Sequence, residues 1–508
     1  MLDIIVEKLI IYAQNRLGLA DEDVFYLRNI LLFNLRLERP YKGPLNVSEI
    51  KAMKTPDSLL NELREQLKDK PFIENWRIEG FVTEIMGHLT PIPSAVTEKF
   101  KKLYKKNKVA ATDYLYDLSI ANNYIQKTKI EQNVQWRADF EDGNYLDITI
   151  NLAKPEKDNK EIAQSLIKKD EVDEYPSCPL CIENVGYGGS YKIPPRENLR
   201  VIPLKLDGEN WFVQYSPYVY YDKHCIVIFE EHVPMTITPR TYSKLLAFVD
   251  QFPHFFVGSN SDLPIVGGSI LSHEHFQGGA ATFPLFEAKR RNLVKSRHDK
   301  RVELSIVDWY NTVVMLKSRD KKRMIETASK ITEEWINYSN PELDIEAYTG
   351  DTRHNTVTPI VRKQGSMYTM YLILRNNRTN EQYPDGIFHA HPEYHNIKKE
   401  GIGLIEAMGM FILPARLKRQ FTLIEDAFTN NKDLENLLKE NEDLKVHEQL
   451  IKHLEEIKKN SKEKVNYHEE ITKYVNEVCR NILLNTAVFK NDKDSQQALN
   501  TMLRNIKY

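Results

Sequence analysis

The stretch SHEHFQGG at residues 272–279 places two histidines one residue apart, then a glutamine, then two glycines. In an extended chain, residues two apart point to the same side, so a strand here would place His273, His275 and Gln277 on one face. Glu274 would point away from that face. A single histidine is more often a polar core or surface residue, but this combined pattern favours chemistry.

Length and composition limit the kind of protein this chain can be. Its 508 residues suggest about three domains. A net charge of −2 gives no overall attraction to nucleic acid or to an anionic membrane, so we expect neither as a partner. No run reaches about 18 apolar residues and the N-terminal segment has no cleavage signal, so we expect a cytoplasmic protein. Four cysteines in so long a chain do not indicate a disulfide framework.

Hydrophobic patterns divide the chain into four parts. Residues 1–118 carry apolar residues at three- and four-residue spacing, which predicts helices. In residues 119–295 and 296–423, alternating apolar runs predict strands, and Asp-Gly pairs at 142–143 and 207–208 predict hairpin turns. Residues 424–508 are helical and charge-rich, and we expect packing or solvated surface there. The sequence therefore predicts an α+β fold with an antiparallel sheet core, duplicated over the two middle parts, and helical N- and C-terminal regions.

Four residues have the chemistry of a zinc site. Cys178-Pro-Leu-Cys181, together with His232 and His273, would supply the four ligands that Zn²⁺ binds in tetrahedral geometry. A site with four protein ligands is closed, hence structural. The Cys-x-x-Cys pair taken alone fits a loop without metal equally well. A redox function has less support, because no thioredoxin-like βαβ pattern surrounds the pair.

The other residues of the 272–279 stretch could then perform chemistry. If His273 binds the metal, His275 is free to act as a nucleophile, because a neutral imidazole can attack phosphorus and form a covalent intermediate. Gln277 could donate its amide to a phosphoryl oxygen as charge develops there. Gly278 and Gly279 would allow a close approach of the backbone.

These motifs resemble those of the galactose-1-phosphate uridylyltransferases, in the longer bacterial branch of that family, which belongs to the histidine-triad superfamily. The resemblance runs from about residue 120 to 415 in the order of its segments, and it implies a histidine-triad-like sheet. It also implies that His275 is the nucleophile and that Gln277 binds the transferred phosphoryl group. Structural zinc would be bound by Cys178, Cys181, His232 and His273. Asn198 would bind the ribose, Asn260 the nucleotide phosphates and Arg137 a phosphate.

The resemblance implies that UDP-glucose and galactose 1-phosphate exchange a uridylyl group by double displacement through His275. The short form of the family commonly has proline between the two histidines where this chain has Glu274, and we expect no change of mechanism. The short form has no counterpart of the helical ends. It can also carry a second metal, but His389 and His391 match its histidine pair only loosely, so no second metal is assigned. The preferred sugar phosphate and the oligomeric state stay open, with a homodimer as one option.

Two other functions stay open at this point. A histidine-triad nucleotide hydrolase or phosphorylase would use the same histidine but pass the nucleotide to water or phosphate. A zinc-stabilised binding protein without catalysis would never carry a covalent nucleotide.

Overall fold

The computed structural model describes residues 1–68, 70–152, 175–190, 193–294 and 301–506. These residues form two compact units, each built from separate chain segments. Unit 1 contains the described residues within Met1–Gln132, Lys157–Pro234 and Ser272–Ala281. Unit 2 contains those within Asn133–Glu156, Met235–Leu271 and Thr282–Tyr508.

Strands in the described ranges are numbered in chain order. They are β1 (Val134–Asp139), β2 (Tyr145–Asn151), β3 (Ile202–Leu206), β4 (Glu209–Tyr215), β5 (Cys225–Phe229), β6 (Phe256–Gly258), β7 (His275–Gly279), β8 (Arg290–Val294), β9 (Glu303–Val307), β10 (Val313–Ser318), β11 (Tyr348–Thr349), β12 (Thr352–Arg353), β13 (Asn355–Gln364), β14 (Met367–Asn376) and β15 (Met410–Pro414).

The N-terminal part of unit 1 is helical, as the sequence predicts. Four leucines at three- and four-residue spacing form the buried face of the helix Asp57–Leu67. The Asn107 side chain caps the helix Lys108–Ala121 by accepting hydrogen bonds from its first backbone N–H groups. The helices are Leu2–Arg16, Val24–Asn34, Val47–Ala52, Asp57–Leu67, Ile78–Leu89, Pro93–Lys106, Lys108–Ala121 and Lys127–Ile130.

The sheet of unit 1 contains β3, β4, β5 and β7 in that order, and each neighbouring pair is antiparallel. Asp207 and Gly208 join β3 to β4 with φ of 49° and 84°, and positive φ at both positions is what a type I′ hairpin turn requires. This confirms the hairpin predicted at the second Asp-Gly pair. On β7, His275 and Gln277 lie opposite two isoleucines of β5, so the pairing of β5 with β7 fixes the position of both side chains.

Unit 2 contains a six-stranded and a three-stranded sheet, besides the short pair β11–β12. One has the antiparallel order β6–β13–β14–β10–β9–β8, and its central strands are almost continuously buried. In the other, β1 and β2 form the hairpin predicted at the first Asp-Gly pair, and β15 lies parallel to β2.

Helices cover the faces of unit 2 and form its C-terminal region. They are Pro239–Gln251, Pro284–Glu287, Lys321–Ile336, Leu404–Ala407, Arg416–Thr429, Leu434–Glu440, Glu448–Asn460, Tyr467–Thr486 and Lys493–Asn505. The helix Pro239–Gln251 follows β5 in the chain and begins with a capping box at Thr238. Across the described ranges, no helix has the length and apolar character needed to cross a membrane. The predicted α+β class, with an antiparallel core and helical ends, is confirmed.

His447 shows that the C-terminal helical region has a packed interior. Its ring is fully buried, and Nε2 donates to Oε1 of Gln420 at 3.0 Å. Burial, followed by the charge of Arg416, lowers the pKa of His447 to about 4. The folded protein therefore keeps this imidazole neutral at pH values where the unfolded chain already protonates it.

We expect the free energy of unfolding to fall as the pH decreases from about 6.5 towards 4, because unfolded His447 binds a proton in this window and folded His447 does not. His447→Gln should remove the uptake of this one proton on unfolding. The slope of the unfolding free energy against pH should then decrease by about 1.4 kcal/mol per pH unit. Urea unfolding at several pH values measures the slope. His468→Gln, at an exposed histidine, is the control, and equal slopes for wild type and His447→Gln would contradict the prediction.

Candidate active site and metal centre

The four predicted zinc ligands of unit 1 lie together. Their ligand atoms are all within 4.8 Å of one another, and no other such group occurs among the residues that the structure describes. Cys178 Sγ lies 3.5 Å from Cys181 Sγ and 3.3 Å from Nδ1 of His273. Cys181 Sγ lies 3.1 Å from Nδ1 of His232. These separations suit four ligands around one small tetrahedral ion.

The groups around the four-residue cluster favour the binding of a cation by its ligand atoms. His273 Nε2 donates to the carbonyl oxygen of Phe229 at 2.8 Å, which leaves the Nδ1 lone pair directed at the cysteines. Burial, followed by the Cys178 sulfur, raises the pKa of the Cys181 thiol to about 12. Because a second thiolate forms here only when a positive charge compensates it, the residues fit a bound divalent metal.

His275 is buried and begins β7, one residue beyond Glu274. Its Nδ1–H donates to the carbonyl oxygen of His273 at 2.8 Å, so the lone pair of the neutral ring is on Nε2. Burial lowers the pKa of His275 to about 4. The imidazole is therefore neutral near pH 7, which is the form that can attack an electrophile.

His273 does not lie on the strand that was expected to carry it together with His275 and Gln277. The strand begins at His275, and His273 precedes it. The reason is that the Cys178–Cys181 loop and the Phe229 carbonyl bind both ring nitrogens of His273. The backbone of His273 still contacts the neighbouring imidazole, through its carbonyl oxygen.

Gln277 lies on the same face of β7 as His275 and is half-buried. Its Oε1 is 3.0 Å from Nε2 of His224. His224 is buried, and burial lowers its pKa to about 4, so the neutral ring can donate its Nε2–H to Oε1. This hydrogen bond directs the amide nitrogen of Gln277 away from His224, and the amide nitrogen is the only donor of the side chain.

Gly279 lies close to other parts of the chain. A Cβ at this position would lie 2.8 Å from the Tyr221 ring and 2.9 Å from the carbonyl oxygen of Lys223. The close approach that this glycine permits is therefore to the protein's own chain.

Asn198 and Asn260, expected at the nucleotide, are both buried. In unit 1, Nδ2 of Asn198 donates to the carbonyl oxygen of Asn122 at 2.9 Å. In unit 2, Oδ1 of Asn260 accepts a hydrogen bond from the backbone N–H of Leu404 at 2.9 Å. Each amide thus has one end fixed by the protein.

Arg137, expected at a phosphate, lies on β1 in unit 2. Its guanidinium stacks over the Tyr145 ring at 3.9 Å and lies 3.5 Å from a carboxylate oxygen of Asp147. The side chain of Arg137 is about half exposed, so the ion pair with Asp147 leaves it accessible to solvent.

Among the residues that the structure describes, His389 and His391 belong to no group of three or more possible metal ligands. Nε2 of His391 donates to the carbonyl oxygen of Ile387, and its ring stacks on Tyr383 at 4.0 Å. Nε2 of His389 instead accepts the backbone N–H of Ile402 at 3.1 Å. One ring nitrogen of each histidine is thus engaged within the protein.

The fold and site define a class of protein. An antiparallel strand carrying a neutral, buried histidine and an oriented amide, next to a closed Cys₂His₂ cluster, is suited to transferring a phosphorus-centred group through histidine. Two family models match the chain: galactose-1-phosphate uridyl transferase N-terminal domain over residues 7–234, and C-terminal domain over residues 248–443. The chain belongs to the galactose-1-phosphate uridyl transferase family.

Bacterial relatives match almost the whole length of this chain. A galactose-1-phosphate uridylyltransferase of Caldanaerobacter subterraneus subsp. tengcongensis is 43% identical over 521 residues, covering 97% of this chain and 96% of the relative. One of Bacillus subtilis is 40% identical over 504 residues, covering 97% and 95%. The N-terminal and C-terminal helical regions therefore lie largely within the matched length of these relatives.

Sequence reasoning missed His224. It stands alone in the chain, outside any motif, and only the pairing of β5 with β7 brings it to Gln277. The signal available in the sequence was its position just before β5, next to the continuous apolar run Cys225–Phe229.

Proposed function

We propose that this protein exchanges a uridylyl group between UDP-glucose and galactose 1-phosphate by double displacement through His275. The observation that carries the proposal is the state of this imidazole: its Nδ1–H is held by the His273 carbonyl, and Nε2 carries the lone pair. A test is to mix the protein with UDP-glucose alone and search for a uridylyl group by mass spectrometry.

In the first step, the Nε2 lone pair of His275 attacks the α-phosphorus of UDP-glucose. A phosphorus–nitrogen bond forms, the bond from the α-phosphorus to the bridging oxygen breaks, and glucose 1-phosphate leaves with that electron pair. In the second step, a phosphate oxygen of galactose 1-phosphate attacks the same phosphorus and the imidazole leaves. The Nδ1–H bond to His273 stabilises the positive charge that the ring acquires while phosphorus is attached.

We propose that Gln277 donates its amide N–H to a non-bridging oxygen of the transferred phosphoryl group. The contact with His224 supports this role because it fixes which end of the amide faces the substrate. A donor oriented in advance stabilises developing charge without reorganisation. His224 is then a positioning residue.

The roles of Asn198, Asn260 and Arg137 are proposals that rest on the resemblance. Because Nδ2 of Asn198 is bonded to the protein, a ribose hydroxyl would contact its Oδ1. Because Oδ1 of Asn260 is bonded to the protein, a phosphate would contact its Nδ2. Arg137 would have to exchange its contact with Asp147 for the phosphate.

We propose that Cys178, Cys181, His232 and His273 hold one structural zinc ion. Zinc bound by four protein ligands supplies folding energy and leaves no open position for substrate. We further propose that the protein acts in the cytoplasm on small-molecule substrates, with neither nucleic acid nor membrane as a partner and with a homodimer as one assembly.

Purified protein should contain about one zinc ion per chain, and Cys178→Ser should lower both the zinc content and the melting temperature. The reason is that binding energy at a closed site is part of the folding energy. Inductively coupled plasma mass spectrometry and calorimetry measure the two quantities. Cys479→Ala, at a buried cysteine outside the cluster, should leave the zinc content unchanged. Stability that does not respond to zinc removal would count against a structural ion.

A further inference from the structure

The helix Val24–Asn34 of unit 1 has an aromatic outer face. Phe25, Tyr26 and Phe33 are 74%, 68% and 71% exposed. Phe25 and Phe33 lie four residues before and four residues after Asn29. Because residues three and four apart are neighbours on a helix, Tyr26 lies on the same side as these residues. The three aromatic side chains expose on the order of 400 Å² together, and a patch of this size on one short helix indicates an interaction surface.

The opposite side of this helix is fixed to the rest of unit 1. Leu31 and Leu32 are buried. The Arg28 guanidinium forms two hydrogen bonds with the Glu7 carboxylate, from Nε to Oε1 at 2.7 Å and from Nη2 to Oε2 at 3.0 Å. A bidentate pair of this kind fixes geometry as well as charge. The aromatic face therefore stands on a rigid support.

Arginine side chains also lie against two of the exposed rings. The Arg28 guanidinium is 5.4 Å from the ring centroid of Phe25, and the Arg36 guanidinium is 5.6 Å from that of Phe33. Both distances suit a cation–π interaction. Because these contacts position the rings before a partner arrives, less side-chain freedom is lost when one binds.

The two ends of this helix carry opposite charges. Residues 21–23, just before it, have a net charge of −3, and residues 35–42, just after it, have a net charge of +2. Glu22 and Arg36 are exposed, and neither forms an ion pair with another residue that the structure describes. Glu22 lies seven residues before Asn29, and Arg36 lies seven residues after it. A charge of each sign is thus available at equal distances from the middle of the helix.

This pattern of residues is complementary to itself. When two identical helices pair antiparallel about a twofold axis, residues at equal distances from the central residue face each other. With Asn29 at the axis, Phe25 of one copy faces Phe33 of the second copy, and Glu22 faces Arg36. Each of these contacts occurs twice. A parallel pairing of the same two helices would instead place like charges side by side at both ends, which is unfavourable.

We propose that the outer face of the helix Val24–Asn34 is the interface between two copies of this chain, paired antiparallel about a twofold axis at Asn29. The aromatic residues form its centre and the charged residues its rim, which is the usual distribution in protein interfaces. The aromatic side chains of both copies bury on the order of 800 Å², and the charged ends supply the rest of the roughly 1,200 Å² of a stable interface. The inference does not depend on the proposed uridylyl transfer.

The experiment is analytical ultracentrifugation of the full chain over a range of protein concentrations. We expect the wild type to form a reversible dimer. Phe25→Ser should weaken dimerisation by about 1,000-fold, because losing a central aromatic contact costs about 30-fold and the twofold axis removes that contact twice. Ile92→Ser is the control, since Ile92 is an apolar residue of unit 1 that is 65% exposed and lies outside this helix. This control variant should dimerise normally.

Charge reversal tests the antiparallel arrangement. Glu22→Arg and Arg36→Glu should each weaken dimerisation, because each variant places like charges in both contacts at the rim. An equimolar mixture of the two variants should form heterodimers, since both contacts then join opposite charges. Added salt should reduce the difference between the mixture and the separate variants, because exposed charge pairs are screened.

Three results would overturn the proposal. The first is a wild-type chain that stays monomeric, and a lower melting temperature of monomeric Phe25→Ser would then show that the ring packs against its own chain. The second is a dimer that Phe25→Ser and both charge reversals leave unchanged, since its interface would lie elsewhere. The third is dissociation of both charge-reversed variants without association in their mixture. Circular dichroism should show that every variant is folded, because the replaced side chains are exposed.

Discussion

His275→Ala protein is expected to release no glucose 1-phosphate from UDP-glucose and to carry no uridylyl group, whereas wild type should release up to one equivalent per site in a burst. The reason is that the nucleophile belongs to the protein, so the first half-reaction needs no second substrate. Rapid-quench measurement of glucose 1-phosphate and mass spectrometry of the intact protein follow the two products. Galactose 1-phosphate should then discharge the wild-type adduct as UDP-galactose.

The control for this variant is His468→Ala, which removes an exposed histidine of the C-terminal helices and should keep a normal burst. Circular dichroism and zinc content should show that His275→Ala is folded. An adduct on His275→Ala would show that another group is the nucleophile. Discharge of the wild-type adduct by water or phosphate, with no need for a sugar phosphate, would favour a hydrolase or phosphorylase instead.

Gln277→Ala is expected to slow the burst by about 100- to 1,000-fold, the usual effect of removing one donor to developing charge. The KM for UDP-glucose should change little, since the hydrogen bond strengthens mainly in the transition state. Single-turnover kinetics over a range of UDP-glucose concentrations separate the two parameters.

His224 variants test whether the amide must be oriented. His224→Leu should slow the burst by less than Gln277→Ala, and His224→Gln, which can donate to the same oxygen, should recover part of the rate. In the double variant His224→Leu/Gln277→Ala the effects should not add, because His224 acts through Gln277. Additive effects, or a normal burst in Gln277→Ala, would show that these two residues have other roles.

Local signals in the sequence predicted much of this fold. Asp-Gly pairs determine hairpins because they tolerate positive φ, and the turns at Gly143 and Gly208 follow that rule. Leucine spacing predicted the buried face of the helix Asp57–Leu67. The parallel pairing of β2 with β15 left no local signal, since it depends on contacts between distant segments. Sequence patterns mark where strands occur but not which distant strands pair.

The metal cluster was predictable because ligand chemistry restricts residue type and because Cys178 and Cys181 are close in sequence. The hydrogen-bond partners of those residues were not predictable in the same way. The Phe229 carbonyl that orients His273 is a backbone atom, and any residue could supply it. Arg375 gave no signal either, because an arginine in a strand is usually exposed and only the packed structure shows its burial.

The strand β7 belongs to unit 1, but in the chain it follows the segment Met235–Leu271, which belongs to unit 2. During synthesis, residues 1–234 emerge from the ribosome with β4 but without β7, the other strand that pairs with β5, and without the fourth cluster residue, His273. The match to the N-terminal family model also ends at residue 234. A gene fragment cut at that boundary would therefore encode neither His275, the proposed nucleophile, nor the complete set of proposed zinc ligands, and the nascent chain can complete both only after residue 281 has left the exit tunnel.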